Sequence, residues 1–245
     1  MVNEKYEKQA NRRRAERAEM VRIVAEEARD TADWLGKEAF DRKVLDALMA
    51  VPRHAFVPPL EAAAAYENRP LPIGEWQTIS QPFIVAAMTD QAEVDETSRV
   101  LEVGTGCGYQ AAVLAALGAE VYTVEALPGL AEAAAERLAR LGYDKVHCRQ
   151  GDGAKGWPKA APFDAILVTA AAKTLPRNLL DQLAPGGRMI VPLEAEGGTP
   201  APAHWLHPEQ VLMRIHKAED GSHSERILLP VAFVPLIKPP KTAKR

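Results

Sequence analysis

At 245 residues, 47% of them apolar and with a formal net charge of −3, the chain suits one α/β domain with an added helical segment and carries no field that would draw nucleic acid or an anionic membrane. Cys107 and Cys148, without CxxC spacing, argue against a disulfide framework or a metal site of the zinc type and fit a reducing cytoplasm. The charged N-terminus Met1-Val2-Asn3-Glu4-Lys5 has no apolar signal core, and no apolar run reaches the roughly 18–20 residues of a membrane span.

Residues 3–30 read as one charged helix with a narrow apolar stripe of Met20, Val21, Ile23 and Val24. Arg12, Arg13, Arg14 and Arg17 make it locally basic, but Glu4, Glu7, Glu16, Glu19, Glu26 and Glu27 interleave, the pattern of a solvated face laced with opposite charges. A second helix is expected over about 37–50, stopping before Pro52. Residues 58–82 hold Pro58, Pro59, Pro70, Pro72 and Pro82 and read as an irregular segment of the kind that carries binding groups. An apolar helical run follows at Phe83–Met88.

From residue 99 the pattern becomes alternating. Arg99–Val103, Glu120–Glu125 and stretches near 145–149, 164–169 and 187–193 read as strands; Tyr109–Leu117, 128–142 and 175–183 read as helices, the last ending before a Pro185-Gly186-Gly187 turn. Late strands are expected at 210–217 and 226–234. The fold class is therefore α/β: a doubly wound, Rossmann-like, mostly parallel sheet with helices on both faces and an N-terminal helical extension. The expected division is 1–82 for the helical segment and substrate-side loop, 83–237 for the α/β domain, and 238–245 for a flexible tail.

The chemistry begins at Gly104-Thr105-Gly106-Cys107-Gly108, between a strand and a helix. Glycines let the strand turn sharply and let a ligand approach the backbone, while the helix points free N–H groups into the same crevice. The spacing is G-x-G-x-G, which alone also suits a plain strand–helix turn. Glu125 closes the next strand about twenty residues on, where a carboxylate can accept from two ribose hydroxyls. Asp152, followed by Gly153, lies just past the third strand, within reach of a base's exocyclic amine. With no Walker lysine and no arginine in the turn, these residues describe an adenosine site without a phosphate requirement. Glu102, inside the first strand, either orients the loop or faces the ligand's far end.

LEVGTGCGYQ, VYTVE, GDG, FDAILVTAA and LAPGGRMIVP together resemble the class I methyltransferases that use S-adenosylmethionine. Upstream, VPRHAFVP (51–58) and QTISQP (77–82) are similar to the protein-L-isoaspartate O-methyltransferases, cytoplasmic enzymes acting on damaged proteins. The resemblance spans about 44–193, and TISQP is its discriminating part. It implies methylation of the free α-carboxylate of L-isoaspartyl residues, with isoaspartyl proteins and peptides as partners, no nucleic acid or membrane partner, and a monomer. It also implies cofactor contacts at Glu102, Gly104, Thr105, Gly106, Glu125, Asp152 and Gly153, a catalytic Ser80, and substrate contacts at Thr78, Ile79 and Gln81.

A carboxylate with a pKa of about 4 is already a nucleophile at neutral pH, so no general base is demanded. Ser80 can donate to one carboxylate oxygen and aim the other; the competing reading is a helix cap. His54 reads as packing, as do Trp34 and Trp157, and Cys107 is not a nucleophile. Trp76 departs from the resemblance, which has glycine before Gln-Thr-Ile-Ser; the indole is expected to strain the turn or crowd the groove. Alternatives at this point are a methyltransferase for another carboxylate or small molecule, a dinucleotide-dependent oxidoreductase, and a binding protein without turnover.

Overall fold

The computed structural model describes residues 2–195 and 209–240. Helix α1 (Val2–Asp30) is continuous, as expected, and buries Met20, Val24 and Ala28, one residue per turn along one face. Val21 and Ile23 turn toward its flanks and are only half-buried. The second helix is shorter than expected. A single turn, α2 (Ala32–Leu35), ends at Gly36 with φ 75°, and α3 spans Arg42–Ala50, leaving residues 37–41 non-helical. The reason is the buried Asp90, whose Oδ1 accepts from Asp41 N at 2.7 Å and from Lys37 Nζ at 2.9 Å, holding that backbone away from helical pairing.

The proline-rich segment is also more ordered than its composition suggests. Strands β1 (Leu71–Gly74) and β2 (Gln77–Ile79) form an antiparallel hairpin in which the buried Leu71 and Ile79 face each other. Pro72 is tolerated because a two-stranded ribbon offers an unpaired edge for a residue without an N–H. Helix α4 (Pro82–Gln91) starts on a proline, where a missing donor costs nothing.

The alternating half follows the expected order. It comprises β3 (Arg99–Val103), α5 (Tyr109–Ala116), β4 (Glu120–Glu125), α6 (Pro128–Arg140), β5 (Val146–Gln150), β6 (Phe163–Val168), α7 (Arg177–Gln182), β7 (Leu183–Glu194), β8 (Gln210–Lys217) and β9 (His223–Pro230). The sheet order is β5-β4-β3-β6-β7-β8-β9, parallel through β7 and antiparallel at β8 and β9. Successive residues point to opposite faces: Val100, Leu167 and Ile190 join the core packed by α4 and α5, while Leu101, Ile166 and Met189 join the core packed by α7. No helix among the described residues is long and apolar enough to cross a membrane.

Two boundaries differ from expectation. Pro185-Gly186-Gly187 is a bulge inside β7 rather than a turn before it, since the register with β6 moves from Leu183 opposite Phe163 to Arg188 opposite Ala165. The last strand runs 223–230, not 226–234. Beyond Pro230 the chain leaves the sheet: Ala171 N donates to Val234 O at 2.8 Å and Leu236 N to Ala171 O at 2.7 Å, so residues 234–236 dock beside the end of β6. Of the expected tail, residues 241–245 lie outside the described residues.

Candidate active site

Strands β4 and β5 lie on one side of β3, and β6 and β7 on the other. The order thus reverses between β3 and β6, and the crevice at such a reversal is where α/β sheets bind ligands. The glycine turn sits on that edge. Gly104 has φ 99°, and a Cβ on it would lie 2.5 Å from Thr169 Oγ1. That hydroxyl instead donates to Gly104 O at 2.6 Å and to Val103 O at 3.1 Å, tying together the ends of β3 and β6. Gly153 lies equally close, because a Cβ there would meet Val103 Cγ1 at 2.5 Å.

Both expected acids of the first two strands reach this crevice. Glu125 is buried at the end of β4, its Oε2 accepting from Gly106 N at 2.8 Å and its Oε1 from Leu127 N at 3.0 Å. Each oxygen keeps a further lone pair. Glu102 is fully buried; Thr123 Oγ1 donates to its Oε2 at 2.5 Å and also meets Thr105 Oγ1 at 2.6 Å. Burial pushes the Glu102 carboxyl up to about 8, against the Thr123 bond, and the nearby Glu125 charge adds to the rise. Asp152 is placed differently. Its Oδ1 accepts from Ala154 N at 3.1 Å and caps the short 3-10 turn Gly153–Lys155; Gly153 lines the crevice, whereas Asp152 does not.

The β1–β2 hairpin forms the opposite wall. Ile73 Cδ1 stands 3.3 Å from where a Cβ of Gly106 would be, and Glu75 Oε1 lies against Gly129 in the first turn of α6. The hairpin therefore roofs the glycine turn. Its tip is Glu75-Trp76, with φ 49° and 58°. The left-handed conformation that strains a non-glycine residue is present, but the indole is 99% exposed and lines no part of the crevice, so it does not crowd the groove.

From this wall Thr78, Ile79 and Ser80 line the crevice, together with Glu102, Gly104, Thr105, Gly106, Glu125 and Gly153. A second cavity adjoins it, lined by Gln81, Ile84 and the Pro230–Val234 segment. Thr78, Ser80 and Thr169 belong to both, so the two spaces meet at those hydroxyls. Ser80 does not cap α4: the first-turn N–H of Phe83 donates to Asn68 Oδ1 at 3.0 Å, and the Ser80 hydroxyl has no partner among the described residues. No Lys, Arg or His lines either cavity among the described residues.

Residues outside these cavities have structural partners. His54 Nδ1 is 2.7 Å from Tyr66 Oη, and burial together with Arg13 and Arg17 lowers its pKa. Trp157 packs edge-on to Tyr122 and beneath the Arg149 guanidinium. Cys107 does line the crevice, but burial raises its thiol pKa, which disfavours a thiolate. Thr169, Gln110 and the Val234–Ile237 stretch line the crevice and are not foreseen by sequence reasoning. Thr169 carries a usable signal, since it ends a strand at the order reversal. The 234–237 stretch carries none.

A sequence model described as protein-L-isoaspartate(D-aspartate) O-methyltransferase matches residues 34–241. Among curated relatives, protein-L-isoaspartate O-methyltransferase 2 of Syntrophobacter fumaroxidans is 56% identical over 222 residues, covering 91% of this chain and 86% of its own length. The protein-L-isoaspartate O-methyltransferase of Anaeromyxobacter dehalogenans is 55% identical over 212 residues, covering 85% and 96%. A solved protein-L-isoaspartate O-methyltransferase superposes with a TM-score of 0.73 at 27% identity, covering 89% of this chain and 65% of that one. A putative Plasmodium falciparum relative, solved in complex with S-adenosyl-L-homocysteine, gives a TM-score of 0.68 at 24% identity over 87% of this chain and 98% of that one, and shows the shared fold. The reversal-point crevice, its acids and its hairpin wall thus sit in a chain that belongs to the protein-L-isoaspartate(D-aspartate) O-methyltransferase family.

Proposed function

We propose that this chain methylates the free α-carboxylate of L-isoaspartyl residues in proteins and peptides, with S-adenosylmethionine as cofactor and Ser80 as the residue that orients the acceptor. The fit of the cofactor rests on charge. The Glu125 carboxylate lines the crevice, Glu102 beside it adds a polar but uncharged carboxyl at neutral pH, and no cationic side chain lines it among the described residues, a setting that favours a positively charged nucleoside and disfavours a phosphate. Glu125 keeps acceptor capacity for ribose hydroxyls, the glycine turn and Gly153 allow close approach, and Glu102 with Thr105 faces the cationic end. Asp152 stands just outside, where it supports Gly153. When bound, S-adenosylmethionine supplies an electrophilic methyl group on a sulfonium.

The chain's own residues then have to bind, align and exclude water. The acceptor carboxylate is ionised at neutral pH and needs no base. Ser80 donates one hydrogen bond to it and holds the free oxygen toward the crevice, while Thr78, Ile79 and Gln81 flank the peptide. Alignment of this kind contributes up to roughly 7–11 kcal/mol in favourable systems. The methyl ester product closes without the enzyme to a succinimide, a backbone amide nitrogen displacing the methoxy group as methanol, and hydrolysis of the ring returns part of the material to normal aspartate. On this reading the chain acts as a monomer on cytoplasmic proteins, and its two unpaired cysteines fit a reducing compartment.

The observation that carries this reading is that the Ser80 hydroxyl, without an internal partner among the described residues, lies where the acid-lined crevice opens into the second groove. The test is methyl transfer to an isoaspartyl peptide and its normal aspartyl twin. Only the first is expected to be labelled, and Ser80→Ala should slow the reaction at least about tenfold, the equivalent of roughly 1.4 kcal/mol. Equal labelling of both peptides contradicts the substrate assignment.

A further inference from the structure

The long N-terminal helix sends one side chain to the back of the substrate groove. Glu27, in the last turn of α1, is half-buried, and its Oε2 accepts from Asn68 Nδ2 at 2.5 Å. Gln81 Nε2 shares a longer contact, 3.4 Å, with both carboxylate oxygens. The far end of Asn68, its Oδ1, is the acceptor for Phe83 N in the first turn of α4. Gln81 itself lines the groove. A single acid of α1 thus touches both amides that bracket the Ser80 loop, and it lies outside the 34–241 span matched by the family's sequence model.

The chemistry of the three groups fixes their orientation. A carboxylate only accepts, whereas each amide has one end that donates and one that accepts. Facing Glu27, both amides must turn their N–H2 groups inward. Asn68 then has its oxygen free for the Phe83 N–H, and Gln81 has its oxygen free for the groove, where an extended peptide offers backbone N–H groups. Burial pushes the Glu27 carboxyl upward, and the hydrogen bonds from the two amides oppose that rise.

We propose that Glu27 is a positioning residue for the peptide substrate: its carboxylate sets the Gln81 amide so that the side-chain oxygen faces the groove, and sets the Asn68 amide so that α4 begins in register with the Ser80 loop. The assignment rests on the substrate reading given above. It differs from a purely structural tie in what Glu27→Gln should do. The one oxygen of the new amide stays with Asn68, whose bond is the shorter, and an N–H2 group faces Gln81, which turns round and presents its own N–H2 to the groove.

The test is steady-state methyl transfer by the full chain to the isoaspartyl peptide, in the parent, Glu27→Gln, Glu27→Ala, Gln81→Ala and the Glu27→Gln/Gln81→Ala pair. Glu27→Gln should raise the peptide KM about fivefold to tenfold with kcat within about twofold and S-adenosylmethionine affinity unchanged, the signature of lost binding. Adding Gln81→Ala should raise KM no further, because both changes remove one interaction. An unchanged peptide KM in Glu27→Gln, or effects that multiply in the pair, would overturn the proposal. Should Glu27→Ala fail to fold, Glu27→Gln carries the test alone. Failure of the substrate reading shows separately, as equal labelling of the isoaspartyl and aspartyl peptides by the parent. In that event exchange of the Phe83 amide still decides the orienting role: it should be about tenfold faster in Glu27→Ala than in the parent and unchanged in Glu27→Gln, and equal rates in all three contradict it.

Discussion

Glu102 occupies an unusual position for an acid: the interior of a central strand, fully buried, with Thr123 as its side-chain hydrogen-bond donor. Its carboxyl is pushed from 4.5 up to about 8, so between those values the folded chain holds a proton that the unfolded chain has released. Stability should therefore fall as pH rises through that window and level off above it. Glu102→Gln removes this component. Urea midpoints measured at about pH 5.5 and about pH 9 should show the variant gaining on the parent as pH rises. A variant that runs parallel to the parent would mean that Glu102 is ionised throughout. Sequence alone leaves two roles open for this residue, because nothing in Leu101-Glu102-Val103 tells which side of the sheet the acid enters. The structure places it under the glycine turn, linked to Thr105 through Thr123. Asp152 is the converse case. Its position after the third strand is readable from the pattern, but its use as a cap for Ala154 depends on a local turn that spacing does not reveal.

Among the elements, the strand–turn–helix of Arg99–Ala116 is the most legible, because an apolar run, three glycines and an apolar helix leave one local solution. The β1–β2 hairpin is the least. Its strands are three and four residues long and proline-flanked, and its turn residues, Glu75 and Trp76, are not those that favour left-handed backbone. The hairpin persists because Leu71 and Ile79 are buried and Glu75 lies against α6. Holding Trp76 at φ 58° costs about 1–2 kcal/mol, and its indole, 99% exposed, recovers nothing by burial. Trp76→Gly relieves that strain and adds about 0.5–1 kcal/mol of unfolded-state entropy in opposition, for a net gain of about 0.5–1 kcal/mol. Denaturant unfolding should show the midpoint rising. A falling midpoint would mean that the indole has a packing role.

Across the whole molecule, the parallel half of the sheet is foreseen because each strand carries its own apolar run and its own turn. The antiparallel edge is misjudged by a few residues at β9, where Pro230 and Pro235 interrupt the ladder and the chain crosses back to Ala171. That crossing completes the site: residues from the far end of the chain wall a crevice whose floor is β3 and whose roof is the hairpin. The two chemical characters of the site, an acid-lined crevice and a groove joined to it at Ser80, neither lined by a cationic side chain among the described residues, arise only once these distant segments meet. Calorimetric titration of the full chain with S-adenosylmethionine and, separately, with NAD tests this account most directly. The account predicts saturable binding of S-adenosylmethionine, lost in Glu125→Ala, with no heat from NAD. Binding of NAD, or of S-adenosylmethionine to Glu125→Ala as tightly as to the parent, would contradict it.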